Sequence, residues 1–275
     1  MAFWEIFVGA GRTPARVLVR WGVLGVGGVM LLGRLLVRNF QKLLSYWNIG
    51  GAGISEEARW PKDAPQTLLI VRHGQSAHNI SAVAVCGDTG ADDSLYDAPL
   101  SALGEEQVAR LAARFSQEPI DLVVVSPLTR AIQTFYGAYP SGHPRVELWP
   151  LLSEHLTDSC DIGSGPEELQ RRFPKLDLAG LPPVWWFTDE ETSTTDPHHS
   201  RKRYREAGFM EPLSVFNKRV KRFFEAVQQR PERRIVAFGH SDFFNALCEN
   251  HLGIEDRWLE NAEVLELAMP APDAV

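Results

Sequence analysis

From about Pro65 onward, short unbroken apolar runs alternate with stretches in which apolar positions recur every three or four residues. The runs are residues 67–71 (TLLIV), 121–126 (DLVVVS) and 234–239 (RIVAFG). They are brief, rich in β-branched residues and without polar alternation, the pattern of strands covered on both faces. Between them, residues 101–117 place Val108, Leu111, Ala112 and Phe115 on one helical face behind Ser101, a residue suited to an N-cap. The stretch PLTRAIQTFYGAY comes after the second run, with Pro127 suited to a first helical turn. Residues 212–229 form a further amphipathic helix that stops before Pro231, and SDFFNALCENH predicts a helix behind the third run. Alternation of this kind predicts an α/β fold: a three-layer sandwich with a mainly parallel central sheet and helices on both faces. Residues 182–208 break the rhythm and read as a long excursion, a candidate lid.

Residues 1–60 obey a different rule from residues 61–275, so the chain divides there into an N-terminal segment with its linker and one catalytic-sized domain. From Gly9 to Gly53 there is no acidic residue, while Arg12, Arg16, Arg20, Arg34, Arg38 and Lys42 occur. Residues 17–37 are apolar except for Arg20 and Arg34, which stand near the ends, where long side chains can reach lipid headgroups. An apolar helix of that length can span a bilayer, although the uninterrupted part, residues 21–33, is short and holds several glycines. A membrane anchor through residues 17–37, a basic targeting segment for mitochondria or another organelle, and an amphipathic or disordered arm are all open readings. Residues 48–65 read as a flexible linker.

Charge and cysteine content then narrow the function. A net charge of −7 argues against a nucleic-acid partner held by bulk electrostatics. Cys86, Cys160 and Cys248 lie far apart with no C-x-x-C, so neither a disulfide framework nor a zinc site is indicated. A reducing compartment suits the globular part. His78, His143, His155, His198, His199 and His251 show no spacing that suggests metal ligation.

Each apolar run ends on something chemically notable. Arg72, His73 and Gly74 come after the first, Arg130 stands one helical turn past the second, and His240 and Ser241 come after the third. In an open α/β sheet the carboxyl ends of neighbouring strands share one crevice. Two arginines and two histidines would face one another there, and arginine forks match the oxygens of a phosphoryl group.

These residues, with Ser76, Asn79, DAPLSALGEEQ, SPLTRAIQT, LLSEHLTDSCDIG and GHSDFF in that order, resemble the histidine phosphatase superfamily, the phosphoglycerate-mutase-like fold with its R-H-G motif. The resemblance covers residues 67–267. It implies that His73 is the nucleophile that takes the phosphoryl group. It also implies that Arg72, Arg130 and His240 hold the phosphoryl oxygens, with Asn79 and Ser241 beside them. Glu154 would be the acid for the leaving oxygen and then the base for water. Gly74 would let the backbone pass close to substrate. No metal and no cofactor is implied, because the cationic cage neutralises the phosphoryl charge. The continuation Glu154-His155-Leu156-Thr157 departs from the arginine–histidine–tyrosine–glycine of glycolytic mutases, which points to a phosphomonoesterase acting on a phosphorylated small molecule or a phosphoprotein. The alternatives are a mutase-type phosphotransferase, a membrane-tethered protein Ser/Thr phosphatase, and an inactive phosphate-binding scaffold.

Overall fold

A computed structural model of the protein describes residues 65–84 and 96–271. The apolar segment 17–37 and Cys86 lie outside the described residues. Among the described residues five strands form one sheet: β1 (Thr67–Arg72), β2 (Leu122–Val125), β3 (Val146–Leu148), β4 (Arg234–Gly239) and β5 (Val264–Ala268). Their order is β3-β2-β4-β1-β5. The first four run parallel and β5 returns antiparallel on β1.

The unbroken apolar runs result from where β1, β2 and β4 sit. Alternate side chains along a strand point to opposite faces, and here both faces are covered. Leu68, Ile70, Leu122, Val124, Ile235 and Ala237 pack against Phe216, Val220 and Phe223 of one helix and Phe243 and Phe244 of another. Leu69, Val71, Val123, Val125, Val236 and Phe238 pack on the other face against Leu111, Phe115, Ile132 and Phe135. Each such side chain contributes about 1.5–3 kcal/mol when fully buried, so a polar residue on either face would be costly.

The helices are α1 (Ala77–Ala84), α2 (Ala102–Ala109), α3 (Leu111–Phe115), α4 (Thr129–Ala138), α5 (Pro166–Arg172), α6 (Pro197–Ala207), α7 (Leu213–Gln228) and α8 (Ser241–Leu247). Ser101 caps α2 as expected, its hydroxyl accepting the N–H of Gly104 at 3.1 Å. The single helix expected over residues 101–117 is instead two, because Arg110 N–H bonds Gln107 O, a tighter i→i−3 turn. Pro127 lies outside α4 rather than in its first turn. The cap position is Leu128, and the first helical N–H, that of Thr129, goes to Asp97 Oδ1 at 2.7 Å.

The excursion over residues 182–208 is not a bare loop. It carries α6, capped by Asp196 at one end and by left-handed Gly208 (φ 60°) at the other. Trp185 and Trp186 are buried, donating to Ser164 O and Ser200 Oγ, in a third small core with Leu128, Leu156 and Ile162.

Candidate active site

Strand register places the chemistry before any side chain does. Arg72 pairs with Gly239, and Val125 with Phe238, so β1, β4 and β2 end level. The ladder runs one step further: His73 N–H bonds Gly239 O at 3.0 Å and Ser126 N–H bonds Phe238 O at 3.0 Å. His73, His240 and Ser126 therefore leave the sheet side by side.

The imidazoles of His73 and His240 lie 5.2 Å apart between ring centroids, tilted by 56°. Both rings are buried. His73 Nδ1 is 2.6 Å from Gly74 O. A carbonyl only accepts, so Nδ1 carries the hydrogen and Nε2 keeps a bare lone pair. Asn261 fixes the same residue from outside, donating Nδ2–H to His73 O at 3.0 Å. Burial first, then the charges of Arg130 and Arg72, hold His73 well below the ordinary imidazole value, against the opposing Gly74 bond. His240 is held well below it too, by burial, Arg130 and His73. Two neutral rings beside two guanidiniums result.

Arg130, buried on α4, donates to Cys160 O at 2.7 Å and to Asp161 Oδ1 at 2.9 Å. Burial would lower it, but Cys160, Asp161 and Glu154 outweigh burial and raise it. Arg72 donates Nη1–H to Leu259 O at 2.6 Å. Its Nε and His240 Nδ1 are buried with no hydrogen-bond partner among the described residues. Buried polar atoms left unpaired cost about 1–3 kcal/mol each, a cost that an oxygen-rich ligand reaching Arg72 Nε would relieve.

Glu154 lies on an irregular stretch after a turn at Pro150–Leu152. Its Oε1 accepts from His155 N–H at 2.9 Å and from Phe243 N–H at 3.1 Å, and Oε2 from Asp242 N–H at 3.3 Å. Those donors favour the carboxylate. Burial and the neighbouring carboxyls of Asp242 and Asp161 win, and its pKa rises to about 8.

Two expected residues look different in detail. Asn79 Oδ1 accepts both N–H and O–H of Ser76, leaving its amide nitrogen as the end able to donate. Ser241 is the first residue of α8, buried beside His240, which holds the cap position. Gly74 is demanded by packing, since a Cβ there would meet Gly104 O and Val108 Cγ1, both at 2.8 Å.

Sequence reasoning misses Ser126 and Asp161. Ser126 stands 2.8 Å from His240 Nε2 through its hydroxyl, and Asp161 anchors Arg130. The only advance signal for Ser126 is its place as the last residue of an apolar run. Among the described residues, no group of three or more His, Cys, Asp or Glu is placed to hold a metal ion.

A family model described as the histidine phosphatase superfamily (branch 1) matches residues 68–269. An Arabidopsis thaliana phosphoglycerate mutase-like protein is 36% identical over 215 residues, covering 70% of this chain and 76% of that protein. A protein of Schizosaccharomyces pombe named a probable phosphatase is 30% identical over 122 residues, 42% of this chain, so the match spans about half (53%) of that relative. Among solved structures, TTHB049 of Thermus thermophilus aligns over 74% of this chain and 95% of its own, with a TM-score of 0.44 and 25% identity.

Proposed function

Since the chain belongs to the histidine phosphatase superfamily, we propose that it hydrolyses phosphomonoesters through a phosphohistidine formed on His73. The observation that carries this reading is the fixed tautomer of a buried, neutral His73, whose Nε2 is left bare in a site shared with the His240 ring, 5.2 Å away, and reached by the charges of Arg130 and Arg72.

In the first step Nε2 of His73 attacks phosphorus and the bond from phosphorus to the ester oxygen breaks. The leaving oxygen takes the proton of Glu154, which is protonated at neutral pH because its pKa is about 8. Arg72, Arg130 and His240 Nδ1–H hold the three non-bridging oxygens as charge shifts among them, with the Asn79 amide beside them. In the second step Glu154, now a carboxylate, takes a proton from water. That water attacks phosphorus, the N–P bond breaks, and phosphate leaves. Neutralisation by two guanidiniums makes the scheme independent of a metal.

The residue after Glu154 favours hydrolysis over transfer to a second anionic substrate. His155 donates through Nε2 to Glu211 O at 2.8 Å and stacks on Phe216 at 4.4 Å, which leaves only Nδ1 for any further contact. The groups acting most strongly on Glu154, Asp242 and Asp161, are carboxyls.

The test is phosphate release from p-nitrophenyl phosphate by the full-length chain, with and without EDTA. Activity insensitive to EDTA, lost in His73→Ala by at least about a thousandfold, and accompanied by an acid-labile phosphohistidine mapped to His73, is the expected result. Substantial turnover by His73→Ala would overturn the nucleophile. We also propose that residues 17–37 bring this activity to a membrane, that of a mitochondrion or another organelle.

A further inference from the structure

A general acid on irregular backbone needs something rigid to define its position. For Glu154 that element is α7, through Arg219. Nη1 of Arg219 donates to Leu151 O at 3.0 Å and Ser153 O at 2.5 Å. Nη2 donates to Glu154 O at 3.0 Å and Glu211 Oε2 at 2.6 Å, and Nε to Glu211 Oε1 at 3.1 Å. A guanidinium has five N–H donors, and all five are used. None is left for a substrate anion, so Arg219 acts on the protein and not on the phosphoryl group.

The clamp reaches both sides of the acid. Glu211, buried, bonds Leu156 through its backbone N–H at 2.8 Å and through its carboxylate at 3.4 Å, while its carbonyl receives His155 Nε2. The Arg219 guanidinium also lies over the ring of Phe243 at 5.7 Å, and it is the N–H of Phe243 that holds Glu154 Oε1. Backbone and carboxyl of Glu154 are thus referred to the same cation.

We propose that Arg219, with Glu211 as its counter-ion, is a positioning residue that fixes Glu154 at the leaving-group side of the site; this rests on the acid–base reading of Glu154. A lysine cannot replace it, because a single ammonium point cannot span three carbonyls and a carboxylate in one plane.

The experiment measures kcat/KM of the full-length chain on two esters. An alkyl phosphate has a leaving oxygen that needs a proton, whereas 2,4-dinitrophenyl phosphate has one that departs as the anion. The inhibition constant of inorganic phosphate reads the cradle separately. In Arg219→Lys, kcat/KM on the alkyl ester is expected to fall on the order of tenfold or more. On the dinitrophenyl ester it changes by less than about threefold, and the phosphate constant by less than about twofold. A merely structural ion pair would lower both esters together, and that outcome, or no change on either, overturns the inference. Glu154→Gln run in parallel separates the two claims. If it shows no dependence on leaving group, the acid reading falls; if it does and Arg219→Lys does not, only the positioning role falls. Should Arg219→Lys melt below the assay temperature, Glu211→Gln keeps the side-chain shape and removes the counter-ion. It must show the same split in weaker form, and an equal loss on both esters there also overturns the inference.

Discussion

His240 Nε2 lies 2.8 Å from Ser126 Oγ, and that same hydroxyl accepts the N–H of Leu128 at 3.4 Å. With the ring kept neutral by burial and by Arg130, the phosphate-holding role proposed for His240 requires the Ser126 hydrogen to go to Nε2 and the ring hydrogen to Nδ1, the buried atom without a partner. Ser126→Ala removes that selection. The expected effect is a phosphate inhibition constant raised several-fold, up to about tenfold, with stability lowered by only about 0.5–1.5 kcal/mol. An unchanged constant would show that the tautomer is set by something else. Glu154 gives a second prediction at this scale. Being protonated below about pH 8, it is present as an acid at neutral pH and lost as pH rises through that value. So kcat/KM should fall on the alkaline side near pH 8. His73 must be neutral to attack, and it is held well below the usual imidazole range, so it causes no loss on moving from pH 7 to 6.5. Asp242→Asn removes a like charge beside Glu154 and should move the alkaline limb to lower pH. A limb that stays in place would remove Asp242 from the account.

The elements differ in how far their residues announce them. β1, β2 and β4 are legible because both faces are covered and every position in their centres is apolar. β3 and β5 are edge strands with partly exposed residues, burying at most one side chain each, and α5 (PEELQRR) is mostly polar, so none has a period to read. The start of α4 is hidden from a local reading because its first N–H, that of Thr129, is satisfied by Asp97, 32 residues away. The site divides in the same way. His73, Arg72, Arg130, Glu154 and His240 stand in a recognisable order along the chain. Ser126, Asp161 and Arg219 act through contacts that only the folded sheet and α7 create. Gly104 shows the element scale most directly: a Cβ there would meet Gln75 O at 2.1 Å, two residues beyond His73. Helix α2 and the R-H-G turn approach that closely because Gly74 and Gly104 both lack side chains. Gly104→Ala must push Gln75 away, costing about 1–3 kcal/mol, and should lower kcat as the turn bearing His73 shifts. Thermal melting and turnover on p-nitrophenyl phosphate read both, and a variant normal in each would mean that the contact yields without moving the turn.

Across the whole molecule, charge and hydrophobicity are segregated. The acid-free stretch from Gly9 to Gly53 is purely basic, so the remainder of the chain is more acidic than the −7 total. Anionic lipid would attract the first and repel the second, within a Debye length of about 8–10 Å. Among the described residues no helix is long and apolar enough to cross a membrane. The apolar residues 17–37 and the basic residues around them make different demands on the binding. If charge alone binds, roughly 1 M salt, where the Debye length is about 3 Å, releases the protein; if the apolar run enters the bilayer, only detergent does. The expected outcome for the full-length chain is sedimentation with the membrane fraction that resists high salt and yields to detergent. A chain of residues 61–275 should stay in the supernatant with the same kcat on p-nitrophenyl phosphate. Salt release would leave a surface arm in place of an anchor. Sedimentation of residues 61–275 by themselves would place the attachment on the catalytic body, where the repulsion predicted from its charge would have to be overcome by another contact.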